Sequence, residues 1–177
     1  MSLSRVVIAR RRLIGGALAL AVSSSLVGCG FRLRGAQALP FETIYLGFSP
    51  NSPLGAQVAR NIRTGTSTRI VTERDNAQAI LEILGESRDR EIVAVNAQGR
   101  AREFSLRLGL MFRLHDGKGR ELIPPTQLLA RRDISFNEEQ ILAKEAEEAL
   151  LFRDMQGDLV QQLLRRLAAV RTDAAQD

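Results

Sequence analysis

The sequence has no tryptophan, one tyrosine, one histidine and one cysteine, and each shortage removes a class of function. A lone cysteine cannot form an internal disulfide, so whatever folds here is held by packing. A lone histidine without a second cysteine leaves no His/Cys cluster at the spacing of a metal site. Seven phenylalanines and one tyrosine provide no interleaving of basic and aromatic residues on which bases could stack, which argues against nucleic acid as a partner.

Catalytic groups are equally sparse. His115 stands beside Asp116 at a predicted strand end, where exposure or local hydrogen bonding is expected, and no nucleophile is placed to make a triad with it. Gly117, Lys118 and Gly119 are not a phosphate loop, because Phe112 occupies the position of that motif's first glycine; they read as a hairpin turn. The acidic pairs Glu138 with Glu139 and Glu147 with Glu148 are sequence neighbours on a helical segment. They point about 100° apart and cannot act as a joint acid/base pair. The chain reads as non-enzymatic.

Acidic residues are also missing from the first 28 positions, which hold Arg5, Arg10, Arg11 and Arg12. The formal charge of +5 belongs mostly to that segment: beyond it, 21 basic residues face 20 acidic ones. The arginine cluster, the apolar run from Leu13 to Val27 and a small-residue processing site are the three parts of a signal peptide. The run is shorter than the ~20 residues that span a bilayer and contains Gly15 and Gly16, so a permanent membrane helix is not expected. The arginines also fit a loose twin-arginine pattern; the general secretory route is the expected one.

Leu26, Val27, Gly28 and Cys29 resemble the bacterial lipobox. That resemblance implies a diacylglycerol thioether on Cys29, cleavage before it and acylation of the new amino terminus. Several acyl chains at ~0.8 kcal/mol per buried CH₂ make an anchor that does not exchange. A soluble secreted protein with a chance cysteine is the alternative. Gly30 replaces the aspartate of the inner-membrane retention signal, which directs the protein to the outer membrane of a Gram-negative cell, facing the periplasm. No cofactor is expected beyond the covalent lipid.

Past the cysteine, residues 29–40 read as a lipidated tether, 41–170 as one domain and 171–177 as a disordered tail. Phe41 to Phe48 has strand composition. Ser52 is placed as an N-cap with Pro53 at the first helical position, and Leu54, Val58 and Ile62 follow at fourfold spacing. Arg69 to Thr72 and Ala79 to Leu84 are short strand candidates, followed by a charged turn over Arg88 to Glu91, a strand Ile92 to Val95, and turn residues Asn96 to Gly99. The clearest periodicity is Phe104, Leu106, Leu108, Leu110, Phe112 and Leu114, a strand with one packed face. The pair Pro124 and Pro125 is expected to delay pairing until Leu128 to Phe136. A helical segment begins at Asn137, with an apolar stripe over Leu142, Ala146, Ala149, Arg153, Leu159, Leu163, Leu167 and Val170. This order predicts an α+β, two-layer sandwich, with two helices packed on one face of a mainly antiparallel or mixed sheet of about four strands.

The remaining signal is basic: Arg100 and Arg102 at the hairpin tip, Arg131 and Arg132 on the last strand, and Lys144 beyond it. These are either solubilising charges or a patch for an anionic ligand, since guanidinium groups bind phosphates bidentately. Alternation sets Arg131 and Arg132 on opposite faces, so only one of them can join such a patch.

Gly28, Cys29, Gly30, Phe31, Arg32, Leu33, Arg34 and Gly35 resemble the start of the mature LptE family of lipopolysaccharide (LPS)-assembly lipoproteins. The likeness continues through the Pro40 to Leu46 strand, the Ser52 to Arg63 helix, the hairpin at Gly99, Lys144 within Ile141 to Glu145, and the helix ending Leu163 to Leu167. It implies assembly with, and plugging of, the outer-membrane barrel LptD, and LPS binding through basic residues, with Lys144 matching one such position. At the hairpin tip the family's arginine falls at Ala97, and Arg100 and Arg102 stand nearby. The expected ligand residues are therefore Lys144, Arg100, Arg102 and Arg131. The rival expectation is a different binding lipoprotein that carries a small amphiphile between sheet and helices.

Overall fold

The computed structural model of the protein describes residues 38–171. The leader, Cys29, nearly all of the tether, and the tail beyond Arg171 lie outside the described residues. The chain runs β1 (Thr43–Gly47), α1 (Pro53–Gly65), β2 (Arg69–Val71), β3 (Ala79–Val95), β4 (Ala101–Asp116), β5 (Glu121–Ser135) and α2 (Ile141–Ala168), with 3₁₀ turns at Arg74–Asn76 and Glu138–Gln140. Leu39 and Phe41, just before β1, are already buried in the core.

The sheet has five strands in the order β2-β1-β3-β4-β5. β1 is parallel to both β2 and β3, while the β3, β4 and β5 ladders are antiparallel. That is one strand more than the four expected; the three-residue edge strand β2 falls on the Arg69 to Thr72 candidate. The architecture is therefore α+β with two helices and a mixed sheet.

Local chemistry accounts for the elements. Ser52 Oγ accepts from the Gly55 N–H at 2.9 Å and caps α1, with Pro53 following it at the position where a missing N–H costs nothing. Leu54, Val58 and Ile62 are buried as their spacing predicts. Gly55 is required because a Cβ there would lie 2.5 Å from Phe48 Cβ. On β4 the even-numbered residues Phe104, Leu106, Leu110, Phe112 and Leu114 are buried. They share one core with Leu54, Val58 and Ile62 of α1 and with Phe152, Met155, Leu159, Leu163 and Leu167 of α2.

Three expectations need correction. The first concerns Arg88 to Glu91, which is not a turn. β3 is one strand of 17 residues, paired with β4 throughout and interrupted only by register shifts between Ile83 and Gly85 and between Ile92 and Val95. Its charges are accommodated by cross-strand partners: Glu91 pairs with Arg107 at 2.6 Å, and the Arg90 guanidinium lies 4.5 Å from the Phe104 ring centroid. The second concerns Pro124 and Pro125, which lie inside β5, where Ile123 faces Leu114 and Thr126 faces Phe112 across a register shift. An outermost strand tolerates prolines that a central one would not.

The third correction concerns α2. Its stripe begins at Phe152 and Met155; Ala146, Ala149 and Arg153 are exposed and Leu142 is 82 % exposed. The first turns of α2 carry apolar residues that the core does not cover, so spacing by three and four selected the wrong face there.

Candidate functional site

The two β-hairpins close with the same local chemistry. Asn96 Oδ1 accepts from the N–H groups of Gln98 (3.0 Å) and Arg100 (2.9 Å), and Asp116 Oδ1 accepts from those of Lys118 (2.9 Å) and Arg120 (2.8 Å). In each loop a glycine takes the left-handed position, Gly99 at φ 77° and Gly119 at φ 87°, where a side chain would be strained. The Arg120 N–H is the leading cause that holds the Asp116 carboxyl below its ordinary range.

The surroundings of the two turns differ. At the β3–β4 turn the end of β5 closes against the start of β4 through the Phe136 N–H, which donates to the Arg102 carbonyl at 2.8 Å. Phe136 packs edge-on against Phe104 with ring centroids 5.2 Å apart. Asn137 then caps the 3₁₀ turn, its Oδ1 accepting from the Glu139 N–H at 3.0 Å. The result is a polar hollow of about 480 Å³ whose walls include Asn96, Arg100, Arg102, Ser135 and Asn137. Lys144, from the first turn of α2, donates to Ser135 Oγ at 3.1 Å and to Glu147 Oε2 at 2.9 Å, and its side chain is only 17 % exposed. Three of the four expected ligand residues therefore meet at one end of the sheet.

Arg131 does not join them. It lies opposite Arg107 in the β4–β5 register and pairs with Asp133 at 3.2 Å, on the face of the sheet away from the core. The Ser105 hydroxyl, and then the Arg131 guanidinium, hold the Asp133 carboxyl below its usual range. Arg132 points the other way and reaches Asp158 on α2 at 2.5 Å. Alternation thus separates the pair as expected, and membership of the hollow excludes both. Ser135, Phe136 and Asn137 were missed as wall residues, because only the strand pairing brings residue 135 beside residue 103. The sole available signal was Asn137 as a capping residue.

His115 matches its expectation of local bonding. Its Nδ1 lies 2.9 Å from the Asp116 carbonyl oxygen, and its Nε2 is 3.7 Å from Glu82 Oε2. Arg113 binds the same carboxylate at 2.6 Å and, through its hydrogen bond, holds Glu82 below the ordinary carboxylate range. Among the described residues no group of His, Cys, Asp and Glu could hold a metal ion, and no helix is long and apolar enough to cross a membrane. A smaller hollow of about 240 Å³ opens at the rim of the core between Pro53, Leu54, Leu108 and Phe152, where Arg88 stacks 3.9 Å from the Phe152 centroid.

Chemically, the hollow at the β3–β4 turn presents two guanidinium groups, Arg100 and Arg102, beside hydroxyl and amide side chains and one carboxylate, Glu139. That is the equipment for holding anionic oxygens through charge-assisted hydrogen bonds.

Residues 41–167 match the family model described as LptE: Lipopolysaccharide-assembly. The LPS-assembly lipoprotein LptE of Yersinia pestis (strain Pestoides F) is 34 % identical over 169 residues, which covers 91 % of this chain and 78 % of that protein. The LptE of Yersinia pseudotuberculosis serotype O:1b (strain IP 31758) is similar to the same extent. Among solved structures, lipoprotein B of Nitrosomonas europaea is 36 % identical with a TM-score of 0.69, covering 79 % of this chain and 91 % of that one. Rare lipoprotein B of Shewanella oneidensis shares the fold at a TM-score of 0.62 and 21 % identity, covering 72 % of this chain and 94 % of that one.

Proposed function

This chain belongs to the LptE family of lipopolysaccharide-assembly proteins, and from that premise we propose an outer-membrane lipoprotein, anchored through Cys29, that assembles with the translocon barrel LptD and plugs it. The lipid confines the protein to the inner leaflet, and the packed domain fills and supports the barrel. The β3–β4 end contacts LPS phosphates. The role is one of assembly, not catalysis.

The observation that carries the ligand part of this reading is that Arg100 and Arg102 line one polar hollow and that Lys144 sits behind its wall, donating to the lining residue Ser135. Arg100 and Arg102 supply the fork geometry that suits phosphate. Lys144, engaged by Ser135 and Glu147, holds the wall and adds positive potential. Arg131 belongs to the opposite face and has no part in the contact. For the rival reading, a carrier of a small amphiphile between the layers, the hollow at the rim of the core measures about 240 Å³. That is below the ~300 to 1,000 Å³ of typical ligand pockets, and an arginine already stacks across its phenylalanine wall.

Purification of the lipidated protein from outer membranes without crosslinking tests the assembly. A β-barrel of several hundred residues should co-isolate at near one-to-one stoichiometry; a lone lipoprotein would sink the plug reading.

A further inference from the structure

We propose that the outer edge of β3 is a docking site for an extended strand of a partner polypeptide. β1 pairs with β3 only from Ala79 to Glu82, whereas β4 follows the other side of β3 as far as Val95. From Ile83 to Val95 one edge has no strand beside it among the described residues, a length of roughly 44 Å at about 3.4 Å per residue. Leu84 to Val95 are exposed throughout, apart from a half-buried Ala94. N–H and C=O groups alternate outward along such an edge, and an extended chain is the partner that satisfies them all.

Proteins usually guard edges with proline, with short strands or with charge that stands in the way. This segment contains no proline and is long, and its charges are held on the two faces of the sheet. Arg88 stacks on Phe152, while Arg90 stacks on Phe104 and binds Glu148 at 2.9 Å. Glu86 accepts from Ser52 Oγ at 2.8 Å, and Glu91 is held by Arg107. The backbone edge is left clear. Its last stretch is apolar and uncovered, with Ile92, Val93 and Val95 at 54 %, 44 % and 58 % exposure.

The same charges describe the occupant. Arg88 and Arg90 lie on the core face, opposite Leu108 and Leu106, and Asp89 and Glu91 lie on the other face, opposite Arg107 and Ser105. A complementary strand carries acidic side chains on the first face and basic or hydroxyl side chains on the second. A second copy of this chain is opposed. The two-fold antiparallel register that uses the whole free edge is centred on Asp89; it sets Arg88 against Arg90 and Asp89 against its own counterpart. The occupant is therefore a segment of another polypeptide, and the inference rests on the assembly reading above in taking that polypeptide to be the barrel.

Hydrogen–deuterium exchange on the full-length lipidated protein, free in detergent and in its purified barrel complex, tests this. In the complex, every second amide from Glu86 to Val95 should exchange at least tenfold more slowly. The exposed-site variant Asp89→Lys should return those amides severalfold towards the free rate while the β4-facing amides stay protected. A barrel that co-purifies and leaves the edge exchanging as in the free protein overturns the strand inference alone. Absence of any barrel overturns both this inference and the assembly reading. Edge protection in the free protein, accompanied by a doubled mass, overturns the inference in favour of self-pairing.

Discussion

From Ala79 to Leu81, β3 runs between β1 and β4 with all three residues buried. From Gly85 to Val95 the same strand is paired on one side and exposed on both faces. The inner half is sealed by apolar neighbours from three directions. The outer half is held by cations stacked on rings and by partly exposed ion pairs, of the kind worth ~0 to 1 kcal/mol apiece. Stability is concentrated where the sheet is closed, and the surface equipped for recognition lies where it is open. The two hairpin turns share a geometry and each adjoins a hollow, but the distal one sets Arg100 and Arg102 against a single carboxylate, Glu139, whereas the proximal one sets Lys118 and Arg120 against Asp75 and Asp116.

Truncations should break this comparison most sharply. Leu81→Ala removes a fully buried side chain and should lower unfolding free energy by about 2 to 5 kcal/mol. Ile92→Ala on the outer half should change it by less than about 0.5 kcal/mol; chemical denaturation measures both, and equal losses would erase the distinction. Ser52→Ala comes next. Ser52 caps α1 and also donates to Glu86 on the outer half, so its loss should cost about 1 kcal/mol and loosen amide protection near Glu86. A Tm unchanged to within a degree would deny that link.

The smallest effect is one of pH. The hydrogen bond from Arg113 holds the Glu82 carboxyl below the ordinary carboxylate value of 4.5, so the native state binds fewer protons there than the unfolded chain. That contribution is present above the unfolded value and is lost as pH falls through the lower folded one. Tm should therefore decline below about pH 4.5, and Glu82→Gln should shallow the decline slightly. A steeper acid loss in the variant would contradict the sign. Asp116 and Asp133, lowered likewise, share in the decline.

Much of the framework around β3 could be read from the sequence. The alternation from Phe104 to Leu114, the Ser52 cap with its fourfold apolar spacing, and the turns at Asn96 and Asp116 are local signals, each specified within a few residues. The open half was illegible for a physical reason. Arg88 to Glu91 looks like a charged turn because the groups that stabilise it as strand, Phe104, Arg107, Glu148 and Phe152, are distant in sequence. Pro124 and Pro125 read as breakers because an outermost strand position is a property of topology alone. Of the candidate site, Arg100 and Arg102 were legible from the turn that positions them. Their approach to Ser135 and Lys144, and the departure of Arg131 to the other face, follow from the β4–β5 register.

The most direct test of the division between a structural end and a recognising end is LPS affinity, measured on two matched charge reversals. Arg102→Glu lies on the wall of the distal hollow, and Lys118→Glu lies in the equivalent turn at the opposite end of β4. The distal reversal should weaken LPS binding about tenfold, corresponding to ~1.4 kcal/mol, and the proximal one should leave it unchanged, both with native Tm. Equal weakening by the two, or none by Arg102→Glu, would contradict the account.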